Sequence, residues 1–312
     1  MVDLRVNIGS LALRNPVMPA SGTFSEGLAR VFSFDQLGAL VTKTITAELR
    51  GGNPTPRVAE AGRGMLNSIG IPSKGIAHFI DSLLPLYRAF SSPLVVSVSA
   101  PTSELFADAV RELSVPGIAA IEANISCPNL EEDGKAFAMR ATSTAAVVAR
   151  LRQATPLPLW VKLTPNTGDV GSVARAAEDS GADALVVANT ILAMSIDVET
   201  FKPTLGNIMG GYSGPAIKPI VVRMVYQCAK TARIPIVGCG GIATAEDAVE
   251  YMLAGATAVQ VGTATFVNPN ALVDVVRGLT TFCERKGIAK VSDLVGGVRD
   301  RDMRVDQLEA VP

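Results

Sequence analysis

Histidine is almost missing from this chain, with one copy in 312 residues, His78. That scarcity excludes histidine-built metal sites and Ser-His-Asp triads. His78 itself sits in Ile76-Ala77-His78-Phe79-Ile80-Asp81, a stretch with a helical pattern that suits a surface or packed residue better than a catalyst. Cysteine is sparse as well. Cys127, Cys228, Cys239 and Cys283 form no Cys-x-x-Cys pair, and their spacings fit neither a zinc site nor an iron–sulfur cluster. A disulfide framework is not expected in a cytosolic chain of this size. Charged residues make up only 18%, the net charge is −1, and no block of Lys or Arg stands out. This argues against nucleic acid or an anionic membrane as a partner. No run of about 18 apolar residues occurs, so no segment is expected to span a bilayer. Met1-Val2-Asp3-Leu4-Arg5-Val6 lacks the charged and apolar regions of a signal peptide, leaving a cytoplasmic location as the default expectation.

What the chain does have is apolar material, 48% of residues, arranged as short runs that end in small or polar residues. Eight of them read as strands: 16–21, 39–45, 93–99, 118–124, 158–164, 184–189, 234–239 and 258–263. Helical patterns lie between most of them, at 104–114, 142–154, 169–180, 215–232 and 244–254. Near-continuous apolar strands alternating with helices mean parallel pairing buried on both faces. Eight such units predict a closed (β/α)8 TIM barrel, with a doubly wound open sheet as the structural rival. No linker divides residues 1–312, so a single domain is expected. Residues 4–8 and 11–13 resemble an N-terminal β-hairpin that could plug one end. Two Gly- and Pro-rich stretches, 46–75 and 190–214, follow strand C-termini, where barrel sites are built, and read as long binding loops or lids.

Three features carry chemistry. Asn124-Ile125-Ser126-Cys127-Pro128-Asn129 places a thiol in a proline-stiffened polar loop just past a strand. A thiol titrates closer to neutrality than most side chains and can remove a proton from carbon, and with one histidine in the chain Cys127 has little competition as a base. Val237-Gly238-Cys239-Gly240-Gly241-Ile242 and Val259-Gln260-Val261-Gly262-Thr263-Ala264 are glycine loops after the last two strands, where barrels bind phosphate. The helix from Thr244 is expected to add positive potential. Lys162, within the apolar strand Trp160-Val161-Lys162-Leu163, and Lys43, in Val41-Thr42-Lys43-Thr44, are cations in places that need a partner. They suit either a Schiff-base aldolase or an anionic cofactor such as reduced flavin mononucleotide (FMN). The aldolase reading leaves Cys127 and the asparagines unexplained.

These residues resemble the class 1 dihydroorotate dehydrogenase family, and most closely the catalytic subunit of its subclass 1B. The resemblance runs in order from Asn15 to about Phe266. It rests on Asn15-Pro16-x2-Pro19-Ala20-Ser21-Gly22, Lys43-Thr44, Asn67-Ser68-Ile69-Gly70-Ile71, the Cys127 loop, Val161-Lys162-Leu163, Asn189-Thr190, Gly210-Gly211-x-Ser213 to Pro219, Gly240-Gly241 and Gly262-Thr263. It implies FMN contacts from Ser21, Lys43, Thr44, Ser97, Asn124, Lys162, Ala188, Gly214, Gly240, Gly241, Gly262 and Thr263. It implies substrate contacts from Lys43, Asn67, Ser68, Ile69, Gly70, Ile71, Asn124, Asn129, Asn189 and Thr190, with Cys127 as catalytic base. Ser97 departs from the family pattern, which has asparagine there. Glu131-Glu132-Asp133 is unusually acidic and should oppose thiolate formation at Cys127, moving the pH optimum up.

The chemistry implied is oxidation of dihydroorotate to orotate in pyrimidine biosynthesis: Cys127 takes a proton from C5 while a hydride leaves C6 for flavin N5. Lys162 would stabilise the charge that reduced flavin acquires. The chain has no cysteine cluster, no evident second nucleotide-binding domain and no N-terminal helical extension of the class 2 kind. The resemblance therefore implies a partner electron-transfer subunit with FAD and a [2Fe-2S] cluster, NAD as terminal acceptor, and a homodimer within a heterotetramer. The alternatives are a dihydropyrimidine dehydrogenase-like flavoenzyme, a Schiff-base sugar-phosphate lyase using Lys162, and a non-enzymatic flavin-storage barrel.

Overall fold

The eight apolar runs fold as parallel strands in a computed structural model that describes residues 2–127 and 135–299. They are β1 (Val17–Pro19), β2 (Leu40–Val41), β3 (Leu94–Val98), β4 (Ala120–Asn124), β5 (Leu159–Lys162), β6 (Ala184–Val187), β7 (Ile236–Cys239) and β8 (Ala258–Val261). Their order in the sheet is β1-β8-β7-β6-β5-β4-β3-β2, so the last strand returns to the first and a (β/α)8 barrel results. Every residue of these strands is buried, which is why the sequence shows continuous apolar runs rather than alternation. Six helices follow strands β3 to β8: α1 (Ser103–Glu112), α2 (Ala141–Ala154), α3 (Val170–Asp179), α4 (Lys218–Thr231), α5 (Ala245–Leu253) and α6 (Ala271–Lys286). The first five were legible as helical patterns; α6 closes the outer layer against α5 and β1.

The two remaining crossovers are built differently. After β1 come only two 3-10 turns, Glu26–Arg30 and Phe34–Gln36, and after β2 a helical stretch over 76–87 that holds His78 half-buried. An aromatic cluster does the packing there, with the Phe34 ring 4.8 Å from those of both Phe24 and Phe90. The N-terminal hairpin pairs Val6–Ile8 with Leu11–Leu13, and its turn at Gly9 lies against Asp183, just before β6 begins. This is the end of the barrel opposite the strand C-termini, as the sequence suggested.

The long stretches 46–75 and 190–214 are more ordered than expected. Ile191–Ala193, Gly210–Ser213, Gly64–Asn67 and Val58–Ala61 form one antiparallel sheet, in that order, joining the two loops. The glycines permit close backbone approach: a Cβ at Gly210 would come within 2.5 Å of the Asn67 carbonyl oxygen, and one at Gly211 would strike the Thr190 hydroxyl.

Barrel closure depends on one tight place. No ladder joins β1 to β2; instead the Gly38 N–H donates to the Val17 carbonyl at 2.9 Å. Asn15, buried beside it, accepts from the Val17 N–H at 3.0 Å and donates to the Gln36 carbonyl at 2.9 Å. A Cβ at Gly38 would run into the Asn15 carbonyl oxygen, backbone that cannot rotate away. Gly38→Ala is therefore expected to cost about 3 kcal/mol of unfolding free energy, the upper part of the overpacking range, read as a lower urea midpoint. An unchanged midpoint would show that closure does not depend on this contact.

Candidate active site

The strand C-termini converge on a polar cup, and its floor is charged. Lys162, the last residue of β5, is 3% exposed. Its ammonium donates to the Ser21 hydroxyl at 3.3 Å and the Gln260 amide oxygen at 3.2 Å, and lies 3.9 Å from Glu122 Oε1. Gln260 on β8 in turn donates to Glu122 Oε2 at 2.6 Å, reaching across the barrel to β4. Burial alone would lower the Lys162 pKa, but Cys239 and Glu122 beside it raise it overall, so this lysine is an ammonium in the barrel core. Glu122, Gln260 and Cys239 were missed in the sequence, although a lone polar residue in an apolar strand is the same signal that singled out Lys162.

Above this floor runs a chain of hydroxyls and amides. The Ser97 hydroxyl is 3.0 Å from that of Thr44, Asn124 donates to Thr44 Oγ1 at 3.3 Å, and Asn124 Oδ1 accepts from Ser126 at 2.5 Å. Asn189 donates to Ser126 Oγ at 2.6 Å, and its own Oδ1 accepts the Thr190 N–H at 2.8 Å. Ser97 is fully buried, and its serine hydroxyl reaches Thr44. Ala188 is buried with its N–H on the Cys239 carbonyl at 2.9 Å. Lys43 is half-buried with no ion-pair partner among the described residues; burial and the nearby Arg57 charge hold its pKa below the usual lysine range.

Cys127 ends the turn after β4 and is the one cysteine that is not buried. Desolvation pushes its thiol up, while the Lys162 charge, a hydrogen bond from Asn124, the Arg50 charge and a hydrogen bond with Ser99 pull it down without cancelling the rise. Arg50 and Ser99 carried no motif and were not foreseen. Pro128, Asn129 and Glu131-Glu132-Asp133 lie outside the described residues.

The predicted phosphate loops meet a third. A Cβ on Gly241 would lie 2.7 Å from the Gly214 carbonyl and 2.9 Å from the Lys218 nitrogen, and Thr263 donates to Ser213 Oγ at 2.9 Å. Gly214 and Gly241, with φ of 101° and 71°, occupy backbone that side chains rarely adopt. Gly262 faces Ala20 and Thr23 in the loop after β1. The glycine loops after β7 and β8 therefore pack closely against Gly214 and the loop after β1. The expected help from the helix at Thr244 is corrected by the structure. Its first turn is already capped: Thr244 accepts from the Asp247 N–H, and Asp247 accepts from the Ala243 and Thr244 N–H groups at 2.9 Å each. The helical start at Gly214, which borders these loops, has no side-chain cap.

The predicted substrate loop is held by its own polar groups. Asn67 donates to the Gly211 carbonyl at 3.1 Å, and the Ser68 hydroxyl accepts from Asn53 and Asn207 at 2.8 Å each. Ile69 accepts the Asn53 N–H at 3.1 Å, and Gly70 and Ile71 turn the chain with positive φ.

The fold and this cup define an α/β-barrel oxidoreductase. The family model for dihydroorotate dehydrogenase matches residues 3–283. A dihydroorotate dehydrogenase B (NAD(+)) catalytic subunit of Trichlorobacter lovleyi is 46% identical over 298 residues, covering 95% of this chain and 98% of the relative. Proteins of the same name from Desulforamulus reducens and Thermoanaerobacter sp. are 45% identical over 298 residues and 42% over 300, covering 98% and 99% of those relatives. The chain belongs to the dihydroorotate dehydrogenase family.

Because its pKa is raised, the Cys127 thiol should form thiolate only as pH climbs past the ordinary thiol range. Its alkylation by iodoacetamide is expected to accelerate about tenfold per pH unit through neutrality without levelling below the ordinary thiol pKa. The buried Cys228, Cys239 and Cys283 should react only after unfolding. Peptide mapping of the alkylated protein reads both; a plateau at neutral pH would contradict the raised pKa.

Proposed function

We propose that this chain is the catalytic subunit of an NAD-linked dihydroorotate dehydrogenase, oxidising dihydroorotate to orotate in de novo pyrimidine synthesis with FMN as its own cofactor. The observation that carries the reading is the convergence of one accessible thiol, one buried ammonium and the glycine loops after β7 and β8 at the same barrel end. FMN, when bound, supplies the acceptor for the hydride that leaves C6 of the substrate. Cys127 takes the proton from C5. Asn124 and Asn189, with Asn129, offer the donors and acceptors that a cyclic diamide needs, and Lys43 opposes its carboxylate. Thr190 and the loop Asn67-Ser68-Ile69-Gly70-Ile71 complete the substrate side. Ser21, Thr44, Ser97, Ala188, Gly214, Gly240, Gly241, Gly262 and Thr263 complete the flavin side. Lys162 holds positive charge for a ring that gains electron density. We read residues 1–312 as a single domain in a cytoplasmic enzyme; no helix among the described residues is long and apolar enough to cross a membrane.

The relatives are named as catalytic subunits and for NAD(+), which supports a second chain that carries electrons onward. That chain would hold FAD and a [2Fe-2S] cluster and pass electrons to NAD, two of each chain forming a heterotetramer around a homodimer of barrels. Exposed apolar side chains supply candidate contact surfaces: Phe266 and Val267 beside the β8 glycine loop, and Leu192, Ile196, Val198 and Phe201 in the stretch 190–214.

The isolated chain is expected to reduce artificial dyes with dihydroorotate but not NAD+, and to gain NAD+ reduction when the partner is added. Cys127→Ala should keep FMN and lose dye reduction by about 100-fold or more. Rapid fumarate reduction by the chain alone would place it instead in the class that works without a partner, and near-normal rates in Cys127→Ala would remove Cys127 as the base.

A further inference from the structure

The barrel core holds a carboxylate that the proposed reaction does not use. Glu122 on β4 is fully buried. One of its oxygens takes a hydrogen bond from Gln260 at 2.6 Å; the other, Oε1, has no hydrogen-bond partner among the described residues and lies 3.9 Å from the Lys162 ammonium. A buried carboxylate oxygen without a donor is costly, and that separation is too long for a hydrogen bond but short enough for strong charge attraction at low polarity. Gln260 is the piece that explains the arrangement. Its amide oxygen accepts from Lys162 and its amide nitrogen donates to Glu122, so one side chain fixes both charged groups at once.

We infer that Glu122 is a positioning residue that keeps Lys162 charged and, through Gln260, holds its ammonium under the ring site. The inference rests on the proposed flavin reading for what Lys162 serves, but not for how Lys162 is held. The groups facing Lys162 are Ser21 after β1, Glu122 on β4, Cys127 after β4, Cys239 at the end of β7 and Gln260 on β8. Burial pushes the thiols of Cys127 and Cys239 up, although Cys239 beside Lys162 also favours its ammonium. Glu122 is the carboxylate of this set, 3.9 Å from the ammonium. Without it, less would oppose the desolvation of Lys162, and the ammonium would give up its proton more readily. With it, added electron density above Lys162 meets a positive charge that needs no proton uptake.

The test uses the whole chain, free of FMN, carrying lysine labelled at the ε-carbon, with Lys162→Arg to assign the signal. In the wild type the Lys162 resonance is expected to stay in its ammonium form beyond the ordinary lysine range. In Glu122→Gln, which keeps shape and removes the charge, the proton should be lost at least about tenfold more readily, a midpoint about one pH unit or more lower. Superimposable titrations would overturn the inference. If Glu122→Gln does not fold, Glu122→Asp replaces it: drawing the charge back by one methylene should lower the midpoint by a smaller amount, and no change would again overturn the inference. A second readout uses chain loaded with FMN. The preference of Glu122→Gln for reduced over oxidised FMN, relative to wild type, should fall about tenfold per pH unit once Lys162 is neutral; a ratio flat with pH would count against the inference. A chain that takes up no FMN would sink the flavin reading while leaving the lysine titration to decide this one.

Discussion

The charged bridge through the middle of the barrel is the constraint around which the rest is arranged. Glu122, Gln260 and Lys162 come from β4, β8 and β5, and Lys162 also reaches Ser21 after β1, so four strands of the ring are tied by side chains that cross its interior. Placing an ion pair in such a core is not a cheap way to gain stability, because desolvation offsets most of the attraction. Breaking one is another matter: a lone buried charge costs about 3–5 kcal/mol. The bridge therefore holds the position of its ammonium within a barrel whose register is set by the backbone ladders. The ring closes where the Gly38 N–H meets the Val17 carbonyl beside the buried Asn15 side chain.

Above that bridge the site is assembled by two complementary means. Side chains with fixed hydrogen-bond partners make the wall of the cup, from Ser97 through Thr44, Asn124 and Ser126 to Asn189. Backbone with no side chain lets the loops at Gly214, Gly240, Gly241 and Gly262 approach closely. On the proposed reading, the first would give direction to a ring with amide edges and the second room to an anion. Two segments more than 120 residues apart then cover the cup by pairing Gly64–Asn67 with Gly210–Ser213. The thiol lies between wall and cover, raised in pKa by burial and partly restored by Lys162, Asn124, Arg50 and Ser99. The Lys162 ammonium favours the Cys127 thiolate, which would couple the two halves of the proposed reaction electrostatically.

Much of this was legible in the chain before any coordinates. Parallel strands buried on both faces leave unbroken apolar runs, and all eight were found, although the strands are shorter than the runs. The run 39–45 shrinks to Leu40–Val41: the Ser97 N–H donates to the Thr42 side-chain hydroxyl at 3.1 Å, and pairing resumes only as an isolated bridge between Ile45 and Val98. The antiparallel cover was not legible: its pairing is long-range and its strands are rich in glycine, a residue that weakens strand signals. The capping of α5 was overlooked although Thr244-Ala245-Glu246-Asp247 has the spacing of a capping box, and it removes a helix end that had been counted toward phosphate binding. Glu122 and Gln260 were readable by the rule that exposed Lys162, a polar residue inside an apolar strand, but their partnership could not be seen, because opposite strands of a closed barrel are far apart in sequence.

The account stands most directly on the reductive half-reaction. The FMN-loaded chain, without any partner, is mixed anaerobically with dihydroorotate or with dihydrouracil while the flavin absorbance is followed. Dihydroorotate is expected to bleach the flavin fully and yield equimolar orotate, and dihydrouracil, which lacks the carboxylate opposed by Lys43, to leave the flavin oxidised. A flavin that stays oxidised with dihydroorotate, or is bleached faster by dihydrouracil, would contradict the central claim.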